Sequence, residues 1–333
     1  MNMNVYLKSA VAWSACLPLC ATAIAQTADS TQSAGVAPTS DMVTLRLNLR
    51  PGQKYRMTQT TQMKITMVAP VEPGKPDQKT DTSSDSTSDI DYNVLYINRD
   101  GTAQVRLTYG AINVRSTVTT DGKRTPVAQA DTNSVMQALK GKVIEMQVSP
   151  TGQVSNVRGM EKIWKASFPS ASTEMTPAQQ REMEKFMKNT FGEKFFASVM
   201  EQSGMSLPQA PVRIGGSWTH RLSLTGPMPI VANLRRTLQS RRSGALTIAE
   251  NGALSFGNAS KPVSIGDTSM QTNVSGNYTG TTILDEATGF VRSSQITQRL
   301  GGKMTFRGKG ATPPMTMRMY MLMTNTTTTK NLS

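Results

Sequence analysis

The sequence predicts a mainly β protein with two antiparallel β-sheet or open-barrel domains, at residues 41–160 and 212–330, joined by a helical segment at 161–211. Three observations support this expectation. Apolar and polar residues alternate in repeated runs in both outer regions, as they do in strands with one buried face. Short clusters of Gly, Pro, Asn and Asp separate these runs and favour turns. In the middle region, helix-capping sequences begin at Thr176 and Thr190, and apolar residues follow the second one at helical spacing.

The first β region follows a polar stretch at 26–40, which is predicted to be a disordered leader. The segment Val43–Leu49 alternates strictly and predicts a half-buried strand. A long second strand is expected at Lys54–Val68. The segment Pro70–Ser88 contains almost no apolar residue, so it is predicted to be a mobile hairpin loop. The further elements expected here are strands at Ile90–Asn98, Ala103–Tyr109 and Ala111–Thr119, a short helix at Ser134–Lys140, and a hairpin formed by Lys142–Ser149 and Gln153–Val157.

The second β region shows the same alternation after Gly215-Gly216, and Gly301-Gly302 is interpreted as a bend between two short strands. The expected strands are 218–224, 229–240, 244–249, 270–284, 290–300, 303–307 and about 315 to 325.

Residues 1–25 have the features of a cleavable secretory signal. An almost uncharged stretch of about 15 residues precedes Ala23-Ile24-Ala25, the small-residue pattern that signal peptidase requires. This stretch is shorter than the roughly 20 residues that a transmembrane helix needs. Cys16 and Cys20 both lie within it, and lipidation of one of them is the alternative interpretation. We therefore expect a periplasmic mature protein that begins at Gln26 and contains no disulfide.

The charge is concentrated near the C-terminus. The chain has a formal net charge of +14, and residues 212–333 contain 14 Lys or Arg against 4 Asp or Glu. A basic surface favours anionic partners, which for an exported protein are envelope lipids or lipoproteins rather than nucleic acid. Arg235, Arg236, Arg241 and Arg242 are the candidate contacts with such an anionic surface. The alternative is that the excess charge only maintains solubility.

An unusual methionine pattern provides the candidate ligand-binding face. Met315, Met317, Met319, Met321 and Met323 alternate with other residues, so a strand would place all five thioethers on one side. Met57, Met63 and Met67 repeat the pattern more weakly on the second strand. Three explanations remain open: an ordinary core, an adaptable apolar surface that binds a ligand, or a copper(I) site.

The sequence contains no motif that argues for catalysis or for a resident cofactor or metal. His220 is the single histidine, and without a second His or a Cys it is interpreted as a polar strand position. Asp85, Asp89 and Asp91 lack the spacing of a calcium loop. Asp285-Glu286 is interpreted as part of a hairpin turn.

Four segments resemble a family of exported bacterial proteins known only as a domain of unknown function. They are Leu45–Tyr55 (LRLNLRPGQKY), Gln147–Gly159 (QVSPTGQVSNVRG), Pro211–Trp218 (PVRIGGSW) and Leu284–Val291 (LDEATGFV). The resemblance covers most of 41–330 and implies a secreted β-rich fold, with no catalytic residues to transfer. A looser architectural likeness is to the half-barrels that carry lipids and lipoproteins across the periplasm.

These observations together predict a non-catalytic binding or carrier protein for an apolar or amphipathic envelope ligand. The alternative is a structural or interaction protein of the envelope that holds no small ligand.

Overall fold

The computed structural model describes residues 42–70, 76–126, 139–162, 193, 196–197, 206–224, 230–256, 262–265, 268–308 and 314–332. The predicted signal at 1–25 and the leader at 26–40 lie outside this part of the chain. So do most of the helical segment at 161–211 and of the short helix at Ser134–Lys140.

The described residues form fifteen β-strands. Their bounds are β1 Met42–Val43, β2 Lys54–Ala69, β3 Gln78–Ile97, β4 Ala103–Thr120, β5 Lys123–Pro126, β6 Val143–Val148, β7 Val154–Arg158, β8 Val212–Arg213, β9 Ser217–Leu224, β10 Ile230–Arg242, β11 Ala245–Phe256, β12 Val263–Ile265, β13 Thr268–Asp285, β14 Val291–Gly308 and β15 Met315–Asn331.

Thirteen of these strands form one antiparallel sheet, and β1 pairs with β8 in a second, two-stranded sheet. The order in the large sheet is β7-β6-β4-β3-β2-β15-β14-β13-β11-β10-β9, with β5 on β4 and β12 on β13. The mainly β prediction is confirmed. Apart from β1 and β8, the strands of the two predicted β regions lie in this single sheet, because the last strand, β15, pairs along nearly its whole length with β2.

The prediction of a loop at Pro70–Ser88 is wrong from residue 78 onward, where β3 begins. Both edges of β3 are hydrogen-bonded, one to β2 and the other to β4. In its first half the inward positions hold hydroxyl side chains, and Thr82 and Ser84 are buried. Because these side chains are small and polar, a search for apolar alternation does not detect the strand.

Two pairs of predicted strands are in fact single strands. β4 continues through Gly110, where the register with β3 shifts by one residue in a β-bulge. β14 continues through Gly301-Gly302, and a side chain at Gly302 would lie 2.1 Å from the carbonyl oxygen of Asn273. The glycines therefore allow close backbone approach within a strand, where the sequence suggested a break.

An apolar core, here called the basal cluster, lies at one end of the sheet. It includes Leu107 and Ile144 near one sheet edge and Leu238 near the other. The segment 43–49 is held against this end by hydrogen bonds from the backbone of Leu47 to Pro150 and from Asn48 to Thr288, each 2.8 Å long. The sheet is therefore curled so that its inner face encloses a core.

A second core, the methionine cluster, lies farther along the same inner face. Its buried members are Met63, Ile65, Ala232, Leu234, Leu254, Val274, Tyr278, Leu300, Met321 and Met323. Along several strands, buried polar residues lie between the members of the basal cluster and those of the methionine cluster. This layer, the polar belt, includes Gln59, Thr61, Ser86, Glu250, Arg236 and Asn325.

Candidate functional site

Three adjacent strands build one thioether surface on the inner face. Strand register pairs Met317 of β15 with Met304 of β14, and Met319 of β15 with Met67 of β2. Directly opposed residues on one face of an antiparallel pair have Cβ atoms about 4.5–5.5 Å apart. The predicted methionine face of β15 is therefore extended sideways by its neighbours on both sides.

Burial changes along this surface. Met323 is 2% exposed and Met321 is 6% exposed, and both pack within the methionine cluster. Met315, Met317 and Met319 are only partly buried. With Met67 and Met304, which are also partly buried, they form an apolar surface that we call the methionine rim. The five predicted site residues thus divide into two core positions and three rim positions.

Sequence reasoning missed Met304 as a member of this surface. The interpretation of Gly301-Gly302 as a bend separated Met304 from the preceding strand. A usable signal was present, because Met304 and Leu300 are an even number of residues apart and therefore face the same side of a continuous strand.

The polar belt contains a buried side-chain amide, that of Gln298. Gln298 is 1% exposed, and neither its Oε1 nor its Nε2 has a partner among the described residues. It is in register with Tyr278 on one side and Met323 on the other. Nearby in the belt, the hydroxyl of Thr61 donates to Oδ1 of Asn325 at 2.5 Å. The inner face of the sheet therefore changes from apolar to polar where the methionine cluster meets the polar belt.

A buried ion pair lies on the β10 and β11 side of the polar belt. Nε of Arg236 donates to Oε2 of Glu250 at 3.0 Å, and the side chains are 3% and 1% exposed. Nη1 of Arg236 also donates to the carbonyl oxygen of Ser206 at 2.7 Å. Burial raises the pKa of Tyr278, and the carboxylate of Glu250 beside it raises that pKa further. The cleft at this pair is too narrow to hold a water molecule.

The structure corrects one member of the predicted arginine surface. Arg236 shares its side of β10 with Leu234 and Leu238, which are buried, so it faces the interior and cannot contact an external anion. Arg235 and Arg242 are exposed. Arg241 is exposed too, and it forms a salt bridge with Glu286. For these three residues, contact with an anionic surface stays a prediction.

The lone histidine is buried rather than placed in an open site. His220 is 2% exposed, and its Nδ1 lies 3.1 Å from the hydroxyl of Ser206. Among the described ranges, no three His, Cys, Asp or Glu side chains are grouped so that they could hold a metal ion. In the same part of the chain, no helix is both long and apolar enough to cross a membrane.

Comparison with curated proteins gives no significant match. Among solved structures, lipovitellin, from a study of its lipid–protein interactions, is similar over 84% of this chain, with 10% identity and a TM-score of 0.42. The match spans about a quarter of the lipovitellin chain (25%). An outer membrane channel from Pseudomonas putida F1 is similar over 89% of this chain and 100% of its own, with 6% identity and a TM-score of 0.25.

The sequence itself matches one family model, and the match spans residues 100–291. The range includes two of the segments on which the resemblance was based, Gln147–Gly159 and Pro211–Trp218, and ends at Val291 with a third. The predicted resemblance to a family without an assigned role is confirmed. The chain belongs to a family of unknown function (DUF6263).

Proposed function

We propose that this protein is a non-catalytic binding or carrier protein, and that it holds the apolar part of an amphipathic envelope ligand, such as a lipid or a lipoprotein acyl chain, at the methionine rim. One observation carries the proposal. The same inner face that is buried at Met321 and Met323 remains partly exposed at Met315, Met317 and Met319. A buried apolar core therefore continues into an accessible apolar surface.

Methionine suits such a surface for a physical reason. The side chain is unbranched, has three rotatable bonds and is polarizable, so it adapts to ligands of different shape. Strands more often place β-branched or aromatic residues at apolar positions. Each methylene group of a ligand that leaves water against such a surface contributes about 0.8 kcal/mol. An acyl chain would therefore gain its affinity from contact area, without any directional group on the protein.

The second candidate function is structural, and the burial of Met321 and Met323 favours it. In this case the whole methionine face is part of the core, and the methionine rim only covers the end of that core. The protein would then act through contacts with other envelope proteins. The two functions differ in whether an apolar ligand contacts Met317.

We further propose that the protein acts in the periplasm after export. The support is the signal pattern at residues 1–25 and the basic, cysteine-free mature sequence. N-terminal sequencing of protein from the periplasmic fraction of its host should give Gln26 as the first residue. A lipid-modified Cys16 or Cys20 at the N-terminus would contradict this.

The ligand proposal is tested with a pair of matched variants and a fluorescent fatty-acid analogue. Met317→Gln keeps the length of the side chain but places an amide against the ligand, which costs about 1–3 kcal/mol when the amide is unpaired. We expect binding to weaken by about tenfold or more, since 1.4 kcal/mol corresponds to a factor of ten. Thr316→Gln, at an exposed position on the opposite face of β15, should leave binding unchanged.

Urea unfolding of both variants separates a loss of binding from a loss of folding. Wild-type protein that does not bind the analogue, or equal weakening by Met317→Gln and Thr316→Gln, would exclude the rim as the binding surface. Native mass spectrometry of protein purified from its own host would then show whether any ligand is carried at all.

A further inference from the structure

The outer face of the sheet carries an exposed apolar pair in the middle of its long central strands. Tyr320 is 55% exposed and Leu322 is 43% exposed. They lie two residues apart on β15, so both point away from the methionine rim. Of the large apolar residues that are exposed in the described part of the chain, only these two share a strand. Single exposed apolar residues are ordinary on a protein surface, but two neighbouring ones on the same face of a strand are less so.

Cationic residues surround this pair. In the register of the sheet, Leu322 is opposite Arg299 on one side and Lys64 on the other. One row beyond Tyr320, Lys303 is opposite Arg318. Neighbouring strands are about 4.8 Å apart, so Arg299 and Lys64 are separated by about 10 Å. We call Lys64, Arg299, Lys303, Arg318, Tyr320 and Leu322 the outer patch.

The ring of Tyr320 lies close to Gly301 on β14. A side-chain carbon at Gly301 would be only 3.3 Å from Cδ1 of the ring. An aromatic ring that covers a strand glycine is a known stabilising arrangement. This arrangement explains why an aromatic residue is tolerated here, but more than half of the ring remains exposed. It also does not explain Leu322, whose cross-strand neighbours are both cations.

The charge of these strands has one sign. The adjacent strands β14, β15 and β2 together contain nine Lys or Arg residues and no Asp or Glu. The nearby acids belong to other segments. Asp77 forms a 2.9 Å salt bridge with Arg318. Asp81 and Asp85 of β3 are diagonal neighbours of Lys64 in the register, and Asp81 forms a 3.0 Å salt bridge with Lys79 of its own strand. Among the described residues, neither Arg299 nor Lys303 has a salt-bridge partner. The field at the outer patch is therefore positive, with an acidic border along β3.

We propose that the outer patch docks the protein on the surface of an anionic lipid bilayer. Tyrosine is enriched at membrane interfaces, where its ring lies at the depth of the headgroups. Basic residues near an anionic leaflet contribute about 1 kcal/mol each. An outer sheet face with a central exposed apolar pair and cations around it matches both requirements of such a surface. The proposal is independent of ligand binding on the inner face.

The test is sedimentation of the full mature chain with vesicles made of equal parts of phosphatidylcholine and phosphatidylglycerol, compared with vesicles of phosphatidylcholine alone. We expect binding only to the anionic vesicles, and weaker binding as the Debye length shortens from about 30 Å at 0.01 M salt to about 8 Å at 0.15 M. The double variant Arg299→Gln/Lys303→Gln should bind about thirtyfold more weakly, which corresponds to about 1 kcal/mol per charge. Leu322→Thr should also weaken binding, since it removes one of the two apolar contacts.

A matched control separates this patch from net charge. Arg99→Gln/Arg158→Gln removes the same number of charges from exposed positions in the turn after β3 and on β7, and binding should change much less. Equal losses in the two double variants would overturn the proposal, because charge alone would then explain binding. Equal affinity for neutral and anionic vesicles, or no vesicle binding by wild-type protein, would also overturn it. Urea unfolding verifies that each variant is folded. Arg299→Gln/Lys303→Gln should bind the fatty-acid analogue as wild-type protein does, so that vesicle docking and ligand binding at the methionine rim are tested independently.

Discussion

The buried ion pair of Arg236 and Glu250 should be among the most costly features of the fold to disrupt. We consider Glu250→Leu, which removes the carboxylate and fills its volume. The guanidinium of Arg236 then keeps its hydrogen bond to the carbonyl of Ser206 but loses the carboxylate of Glu250, which lies 3.0 Å away. With side chains 3% and 1% exposed, neither partner can recover hydration without a change in the structure.

The expected cost follows from this burial. Removing one partner of a buried ion pair typically destabilises a protein by about 3–5 kcal/mol, because the other charge is left uncompensated. Replacing both partners with apolar residues of similar volume is often neutral or better. We therefore expect Glu250→Leu and Arg236→Met each to cost about 3–5 kcal/mol, and the double variant to cost much less than the sum.

Urea unfolding followed by circular dichroism measures all three variants and gives the coupling energy of the double-mutant cycle. The control is the exposed pair Arg106–Glu145, which has a 2.7 Å contact and side chains 45% and 33% exposed. The double-mutant cycle of this exposed pair should give a coupling energy of about 0–1 kcal/mol. If the cycle at Arg236 and Glu250 gives an equally small coupling, burial of the pair does not control its energy and the reasoning fails.

Three further predictions test the interior and one turn. Met323→Ala should lower the free energy of unfolding, measured with urea, by about 2–5 kcal/mol, because it leaves a void in the core. Met317→Ala should lower it clearly less, and equal losses would contradict the gradient of burial. Gln298→Leu should maintain or raise stability, since it removes an unpaired buried amide whose desolvation costs about 1–3 kcal/mol; a loss of stability would show that the amide is paired. Burial acts to raise the pKa of Asp285, but its ion pair with Arg292 and the hydrogen bonds of the turn outweigh this and lower it. The carboxylate therefore stabilises the fold above its unfolded pKa of about 3.9 and ceases to do so as pH falls through the lower folded value. Asp285→Asn should be less stable at neutral pH and lose less stability between pH ~4 and ~2, and identical acid profiles would contradict the shift.

Local alternation in the sequence predicts the strands whose inward side chains are apolar. The hairpin of β6 and β7 follows its predicted bounds closely, and β15 begins at Met315 as expected. The same reasoning fails at β3, because hydroxyl residues such as Thr82 and Ser84 fill the inward positions there. Apolar alternation is a sufficient sign of a half-buried strand in these segments, but it is not a necessary one.

Other features depend on pairing between distant segments, which no local pattern contains. The register of β15 with β2 places Met319 opposite Met67, and this pairing creates the rim from residues 252 positions apart. The burial of Arg236 is a different case. Leu234 and Leu238 lie two residues on either side of it, so strand parity already indicated an inward position. Arg236 was grouped with the neighbouring arginines because of its charge, although its position on the strand indicated that it faces the interior.

The alternation of β15 makes its two proposed roles separable by experiment. Its inward positions contribute Met317 to the methionine rim, and its outward positions contribute Tyr320 and Leu322 to the outer patch. Because successive side chains of a strand point to opposite faces, one lipid molecule cannot contact both surfaces through the sheet. A ligand that moves between a membrane and the rim must therefore pass around the end of the strands.

If both proposals hold, Arg299→Gln/Lys303→Gln should slow the transfer of a fluorescent fatty-acid analogue from anionic vesicles without changing its affinity in solution. Met317→Gln should lower that affinity and leave vesicle docking intact. A variant on one face that impaired both properties while unfolding normally in urea would show that the two surfaces do not act independently.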